Sequence, residues 1–363
     1  MFAIIARIRG VTGRYFTTIL YLTRRQNGMK SLMKQIFTLF LILAVLTSCT
    51  KSVNSGKEIP GGDTTTGLPL SNIINIEYGS NQDTSGKMVS LTMDIYFPAG
   101  AKTGDKNPLV MLIHGGSYLN GDKADMQRDC QILADSGFVV SSINYRLGWR
   151  SGKTTCGGDS ASETRAGYRA LQDANAALRF LTYNSIAFSI NTDWVFIGGS
   201  SAGSSIALNT TYISNSVAMF FLPGVYAQLG AVINAGNTLT NEFKIKGICN
   251  MWGALPDSNL ITEFNATPTI SFHGTNDNVV PYDIGYNESC PNYVMLFGSA
   301  CIHRRLVAYH TPVISNFVIG GGHGPSVYTP EFLMENTACF FKRIIHDVPI
   351  TSTYYTTLVS SCN

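Results

Sequence analysis

Three residues in glycine-rich segments have the side chains needed for nucleophilic cleavage of an acyl bond. Ser201 lies in "GGSSAG", Asp277 in "HGTNDNVVP" and His323 in "GGGHGP". A serine hydroxyl is a weak nucleophile, so a histidine must take its proton and a carboxylate must hold that histidine in the correct tautomer. The chain order serine, aspartate, histidine is one of the orders in which such a triad occurs. The pattern therefore predicts a nucleophile, a base and an acid.

The doubled serine in "GGSSAG" raises the question of which hydroxyl attacks. A nucleophile on a sharp turn between a strand and a helix needs glycines two residues before and after it, where the strand and helix pack closely. Ser201 has Gly199 and Gly203 at these positions, whereas Ser200 has Ala202 at the later one. We therefore expect Ser201 to be the nucleophile; the competing interpretation is a helix N-cap.

A second glycine-rich stretch, "HGGSYLNGDK", follows an apolar run and could supply hydrogen-bond donors to a developing oxyanion. The expected donors are the backbone N–H groups of Gly116, Ser117 and Ala202. His114 and Gly115 are expected to support this loop rather than to react. These positions complete a predicted acyl-transfer site.

The acid has alternative assignments, because "TNDN" could use Asp277 only to form a turn. Asp283 and Asp257 are the alternatives. Asp173 is interpreted as a charge on a helix surface that pairs with Arg169, four residues earlier. Arg146 follows a predicted strand and is expected to support the site, with contact to a substrate anion as the alternative.

Six short apolar runs, each followed by a helical stretch, must position these residues: "PLVMLIHGG", "GFVVSSINY", "DWVFIGG", "IKGICNMWG", "PTISFHG" and "PVISNFVIGGG". Such runs indicate a parallel sheet that is covered on both faces. Two alternating segments joined by "SNQDTSG" precede them and predict an antiparallel hairpin. The predicted fold is a doubly wound, mostly parallel α/β domain over residues 70–363, with active groups beyond the carboxyl ends of its strands.

The amino-terminal part reads as a targeting region. Seven of the 26 basic residues and none of the 23 acidic residues lie in positions 1–48, so the remainder is mildly acidic and nucleic acid is not an expected partner. Two lysines precede the apolar run 36–46, which is short for a bilayer span. Residues 1–28 fit no part of a signal, so translation is expected to start at Met29 or Met33. The polar segment 49–69 is interpreted as a flexible tether.

Eight cysteines are present, and seven follow Cys49. Cys290 and Cys301 are close in sequence and are the candidate disulfide, in keeping with export. No Cys-x-x-Cys pair occurs and the six histidines show no ligand spacing. We therefore expect no structural metal, and the predicted triad needs no cofactor.

Several of these segments, in this order, resemble the esterase and lipase group of the α/β-hydrolases, including carboxylesterases and acetyl or feruloyl esterases. The resemblance rests on "SLTMDIYFPAG", "HGGSYLNGDK", "INYRLG", "LQDANAALRFL", "IGGSSAG", "HGTNDNVVP" and "GGGHG". It implies an α/β-hydrolase fold and ester hydrolysis through an acyl-enzyme. Ser117 stands where many relatives have a third glycine. The short segment 254–268 leaves no room for a large cap, so a cap would come from 212–242, 149–163 or 286–310.

"LTSC", which ends at Cys49, resembles the lipobox of bacterial lipoproteins. That resemblance implies lipidation of Cys49 and membrane anchoring at the periplasm or the cell surface. The alternative is an ordinary secretory signal.

The expected substrates are small-molecule or polysaccharide esters, on the basis of family and location. One alternative is a serine peptidase of the prolyl-oligopeptidase type, which the length of the chain disfavours because a propeller domain would not fit. The other is a non-catalytic surface binding protein with the same fold.

Overall fold

A computed structural model describes residues 66–324, 326 and 328–360. The predicted leader, Cys49 and most of the predicted tether lie outside the described residues. All described residues belong to one compact unit, Ser55–Asn363. No helix in the described part of the chain is both long enough and apolar enough to cross a membrane.

Eleven strands occur in the described residues. They are β1 (Ile73–Gln82), β2 (Met88–Tyr96), β3 (Asn107–Ile113), β4 (Val139–Ile143), β5 (Ile190–Ser200), β6 (Ile245–Met251), β7 (Thr269–Gly274), β8 (Ile284–Tyr286), β9 (Met295–Phe297), β10 (Val313–Val318) and β11 (Thr353–Tyr355). Nine of them form one sheet in the order β1-β2-β4-β3-β5-β6-β7-β10-β11, and β8 pairs with β9 separately.

The pairing directions confirm the predicted fold class. The β1–β2 and β2–β4 pairs are antiparallel, and every other pair in the large sheet is parallel. The predicted hairpin is β1–β2, where Asp83 closes the turn by accepting hydrogen bonds from the N–H groups of Ser85 and Lys87. The β8–β9 hairpin and the edge strand β11 were not predicted.

Burial on both faces explains the continuous apolar runs. In β3, Leu109, Met111 and Ile113 pack in one hydrophobic cluster, while Val110 and Leu112 pack in the cluster on the other face. Successive side chains of a strand point to opposite faces, so each face of the sheet needs its own covering layer. Helices provide both layers.

Seven α-helices occur among the described residues: α1 (Gln127–Asp135), α2 (Ser160–Tyr183), α3 (Ala202–Tyr212), α4 (Asn215–Phe221), α5 (Pro223–Leu229), α6 (Ser299–Ala308) and α7 (Pro330–Ile345). The predicted stripe of Leu171, Ala174, Leu178 and Leu181 lies on α2 and is buried. Helix α2 begins after Asp159, whose carboxylate caps it by accepting from the Ser162 N–H at 2.7 Å.

The prediction for Asp173 is wrong. Its side chain is fully buried and pairs with Arg146, whose Nε and Nη2 lie 2.9 and 2.8 Å from the Asp173 Oδ1. The Arg146 backbone N–H also donates to this carboxylate. Helical spacing had suggested the surface pair with Arg169, but α2 is buried around most of its circumference, and Asp173 pairs with an arginine in the chain that follows β4. The alternative that Arg146 meets a substrate anion is disfavoured, because its guanidinium is already hydrogen-bonded.

The predicted Cys290–Cys301 disulfide is also wrong. Cys290 is bonded to Cys156, and their Cα atoms are 5.3 Å apart. Cys301 is a buried free thiol that donates to Asp283 Oδ1 at 2.8 Å. Although Cys290 and Cys301 are close in sequence, β9 and the first turn of α6 separate them, whereas the loop before α2 places Cys156 beside Cys290.

Candidate active site

Ser201 lies on a strained turn between β5 and α3. Its backbone has φ 56° and ψ −122°, a conformation that residues other than glycine rarely adopt. The Ser201 N–H donates to the Met251 carbonyl at 2.8 Å, which ties the turn to the end of β6. Such strain exposes a side chain at the carboxyl edge of the sheet.

The two glycines that flank this turn are required by close packing. A Cβ at Gly199 would lie 2.5 Å from the carbonyl carbon of Gly203, and a Cβ at Gly203 would lie 2.0 Å from the Ile113 carbonyl oxygen. Ser200 instead belongs to β5, where it pairs with Met251. The spacing of the glycines therefore has the physical basis that the sequence indicated.

The structure brings Ser201, Asp277 and His323 together. His323 Nε2 is 2.9 Å from Ser201 Oγ, and His323 Nδ1 is 2.7 Å from Asp277 Oδ2. With the ring proton on Nδ1, the imidazole donates to the carboxylate and accepts from the serine hydroxyl. This is the geometry that a serine nucleophile requires.

Asp277 is held by its own loop as well as by His323. Its Oδ1 accepts hydrogen bonds from the N–H groups of Val279 and Val280, at 2.8 and 3.0 Å. Burial raises the pKa of Asp277, but hydrogen bonds from His273 and His323 outweigh burial and hold the pKa well below its ordinary value. The turn interpretation and the acid interpretation of this residue are thus compatible.

The two alternative acids lie in other contacts. Asp283 pairs with Arg304. Asp257 caps the short 3₁₀ helix Ser258–Leu260, where its Oδ1 accepts from the Asn259 N–H at 2.8 Å.

A second histidine behind Asp277 was missed by sequence reasoning. His273 is fully buried at the end of β7, and its Nε2 is 3.1 Å from both Asp277 Oδ2 and the Val280 carbonyl oxygen. Its Nδ1 is 2.7 Å from the Ser299 hydroxyl oxygen. The sequence does place a histidine four residues before the aspartate, but only the loop geometry shows that it contacts the carboxylate.

The predicted oxyanion loop has an unusual backbone. Gly116, Ser117 and Tyr118 have φ values of 103°, 52° and 59°, and the Gly116 carbonyl accepts from the N–H of Leu119 at 2.8 Å. The loop approaches the nucleophile turn so closely that a Cβ on Gly115 would lie 3.2 Å from the Ser201 Cβ. Consecutive residues with positive φ leave N–H groups free to face an anion. The arrangement suits the donors that the sequence predicted.

His114 and Tyr145 support this loop. Their rings stack at 4.4 Å, and the Tyr145 hydroxyl donates to the His114 carbonyl at 3.1 Å. Burial lowers the pKa of His114, so its ring is neutral and its Nδ1 donates to the Gly115 carbonyl at 2.7 Å. His114 therefore supports the loop and makes no hydrogen bond to Ser201, whose hydroxyl bonds His323.

A small cavity of about 80 Å³ adjoins the nucleophile. Ser117, Ser201 and Ala202 line its reactive end, and the remainder is mainly apolar. All three predicted cap segments contribute to its wall: 212–242 through Ile213 and Leu222, 149–163 through Glu163, and 286–310 through Asn287, Val294 and Leu296. No group of three or more metal-ligating side chains was found among the described residues.

Glu163 is the one carboxylate on the cavity wall. It accepts from Asn287 Nδ2 at 2.7 Å and from the Val294 N–H at 3.0 Å, and so ties the first turn of α2 to the segment before β9. Burial raises the pKa of Glu163 to about 7, although these two hydrogen bonds oppose the shift. Its charge is therefore sensitive to pH near neutrality.

The sheet topology, the strained serine turn and the serine–histidine–aspartate contacts are those of the α/β-hydrolase fold. The BD-FAE family model matches residues 93–263, which include Ser201 but end before Asp277 and His323. Esterase E4 of Myzus persicae is 31% identical over 198 residues, which are 53% of this chain and 34% of that protein. The chain spans about a third of the length of this curated relative.

Two solved structures share the fold at low sequence identity. An esterase of Thermogutta terrifontis with bound propionate superposes with a TM-score of 0.52 at 16% identity, covering 77% of this chain and 95% of that one. A truncated carbohydrate esterase from gut microbiota superposes with a TM-score of 0.53 at 18% identity, covering 76% and 97%. The chain has the α/β-hydrolase fold, and the proteins to which it is similar include esterases.

Proposed function

We propose that the protein is a serine hydrolase that cleaves carboxylic esters through an acyl-enzyme. The observation that carries the proposal is the pair of contacts made by His323, to Ser201 Oγ at 2.9 Å and to Asp277 Oδ2 at 2.7 Å. The similarity to esterases supports an ester as the substrate.

In the first half of the reaction, Ser201 Oγ attacks the ester carbonyl carbon while His323 Nε2 takes the hydroxyl proton. Asp277 stabilises the imidazolium that forms, and it is suited to this role because its pKa is lowered and it stays ionised. The carbonyl oxygen becomes an oxyanion. It accepts hydrogen bonds from the backbone N–H groups of the predicted oxyanion donors, Gly116, Ser117 and Ala202.

Collapse of this intermediate breaks the bond to the leaving oxygen, which receives the proton from His323 Nε2 and departs as an alcohol. The acyl group remains on Ser201 Oγ. Water then attacks the acyl carbon with His323 again acting as base. The acid is released and the hydroxyl is restored, so no cofactor enters the cycle.

We propose short acyl groups as the substrates of this site. The cavity of about 80 Å³ beside Ser201 has room for a group of a few carbons, and Leu171, Ile213 and Leu222 contribute to its apolar wall. A carbohydrate alcohol is the proposed leaving group. It is supported by the likeness of the fold to the gut-microbiota carbohydrate esterase.

A panel of 4-nitrophenyl esters of increasing acyl length tests this function, together with acetylated polysaccharide and an aminoacyl-proline amide. We expect acetyl and propionyl esters to be cleaved best, Ser201→Ala to be inactive and Ser200→Ala to retain activity. Preferential cleavage of the amide would instead favour a peptidase. A folded protein that cleaves nothing would favour the non-catalytic binding protein.

We further propose that the protein is exported and anchored through a lipid on Cys49, on the basis of the "LTSC" pattern. Metabolic labelling of expressing cells with a radioactive fatty acid tests this. Labelled protein in the membrane fraction is expected, with loss of label in Cys49→Ala. A soluble, unlabelled wild-type protein would contradict anchoring.

A further inference from the structure

A second cavity, of about 340 Å³, lies on the opposite side of α2 from the candidate active site. From α2, Glu163, Gly167 and Leu171 line the active-site cavity, whereas Arg165 and Arg169 line the second cavity. At 3.6 residues per turn, these two sets project from opposite faces of the helix. The cavities share no lining residue.

Positive charge dominates the wall of the second cavity. Four arginines line it, Arg146, Arg150, Arg165 and Arg169, and Asp83 is the only carboxylate among the lining residues. Asp83 is occupied by the turn between β1 and β2, where it accepts from Ser85 and Lys87.

The four arginines differ in how they are compensated. Arg146 is paired with the buried Asp173. None of Arg150, Arg165 and Arg169 forms an ion pair with a carboxylate of the described residues. Three unpaired guanidinium groups therefore surround one cavity.

Arg169 is the most constrained of the three. It is only 6% exposed, its Nη2 donates to the Gly148 carbonyl at 3.1 Å, and its Nε is buried without an acceptor. Burial is the main cause that lowers the pKa of Arg169. The charge of Arg146 lowers it further, the charge of Asp173 opposes the shift, and Arg165 and Arg150 add to it. A buried, incompletely bonded cation among like charges is costly unless an anion compensates it.

We propose that this cavity binds the anionic oxygen group of a small ligand, a carboxylate or a phosphate. Guanidinium groups present paired N–H donors that match both anions. The neutral polar side chains of Thr84 and Gln228 also line the cavity and suit hydroxyl groups of such a ligand. The site is separate from the proposed triad, so the ligand binds without being cleaved there.

Isothermal titration calorimetry with three probes tests the proposal: glucuronate, glucose 6-phosphate and neutral glucose. We expect at least one charged probe to bind and glucose not to bind. The double variant Arg150→Gln/Arg165→Gln removes two unpaired cations and is expected to weaken binding at least tenfold, since a hydrogen bond to a charged group contributes roughly 1.5–3 kcal/mol. Binding of one charged probe alone would identify the carboxylate or the phosphate as the recognised group.

Arg304→Gln is the matched control, because it removes one positive charge from the pair with Asp283, away from this cavity. It should bind as the wild type does, and so should Ser201→Ala. Without ligand, the double variant should melt at or above the wild-type temperature, since it relieves repulsion. Failure of both charged probes to bind, equal loss in Arg304→Gln, or a lower melting temperature of the double variant would each overturn the proposal.

Discussion

Replacement of Asp277 by asparagine should nearly abolish turnover while preserving the fold. In the wild type, Oδ2 faces His323 Nδ1 at 2.7 Å and His273 Nε2 at 3.1 Å, and Oδ1 accepts two backbone N–H groups. The asparagine amide has one acceptor oxygen, which can accept either from the two histidines or from the two backbone N–H groups, but not from both sets. If the loop keeps the oxygen, the amide NH₂ faces His323 and favours the tautomer with its proton on Nε2, which cannot take the proton of Ser201.

The expected loss in kcat is roughly 10³- to 10⁴-fold, because both the tautomer and the stabilisation of the imidazolium are lost. This corresponds to about 4–5.5 kcal/mol of transition-state stabilisation. KM should change little, since Asp277 does not line the cavity. The lowered pKa of Asp277 adds stability at neutral pH that is lost as the pH falls below the pKa of the unfolded chain, about 3.9. Because asparagine does not ionise, the stability of Asp277→Asn should fall less on acidification than that of the wild type.

The assay is steady-state hydrolysis of 4-nitrophenyl acetate, with thermal melts of each variant at pH 7 and pH 3. Asp283→Asn is the matched control, because this carboxylate pairs with Arg304 and has no contact with His323. It should keep activity within a few-fold of the wild type. An Asp277→Asn protein with more than a tenth of the wild-type kcat, or an equal loss in Asp283→Asn, would refute the role of Asp277.

Three further predictions concern the loop, the cavity wall and the disulfide. Ser117→Gly should keep kcat within a few-fold of the wild type, because the proposed donor of Ser117 is a backbone N–H and φ 52° suits glycine. Gly116→Ala should lower kcat about 10²- to 10³-fold, because the new Cβ would lie 2.2 Å from a backbone carbonyl oxygen and displace the donors. Burial raises the pKa of Glu163 from 4.5 to about 7, so the wild type should lose about 3 kcal/mol of unfolding free energy as pH rises from 4.5 through 7. The unfolding free energy measured in urea should differ less between pH 5 and pH 8 in Glu163→Gln than in the wild type. An equal difference in the two proteins would show that the charge of Glu163 does not cause the pH dependence. Cys156→Ser should lower the unfolding free energy by about 2–5 kcal/mol and leave Cys290 reactive to a thiol reagent in unfolded protein, whereas a blocked Cys290 would contradict the bond to Cys156.

The fold was predictable because the pattern of apolar residues in most segments matches how those segments are buried in the sheet. Continuous apolar runs such as β3 favour a sheet covered on both faces, and the alternating segments on either side of the turn at Asp83 favour a hairpin. The edge strand β11 was missed because three residues carry too little periodicity. The β8–β9 hairpin was missed for the same reason.

The places of Ser201 and His323 in the site were predictable, because each has a side chain suited to the chemistry and each follows a predicted strand. Features that depend on how distant segments pack were not. His273 contacts Asp277 only because the loop after β7 folds back, and Asp173 pairs with Arg146 across 27 residues. The bond from Cys290 to Cys156 spans 134 residues, a separation that no local pattern encodes.

Labelling with a fluorophosphonate, followed by mass spectrometry of the intact protein and its peptides, tests directly whether Ser201 is an activated nucleophile. Such a reagent reacts much faster with a serine whose proton is removed by a correctly placed base than with an ordinary serine. We expect one adduct, on Ser201, which persists in Ser200→Ala and disappears in Ser201→Ala while both variants stay folded. An adduct on another residue, or a folded wild-type protein that forms none, would contradict it.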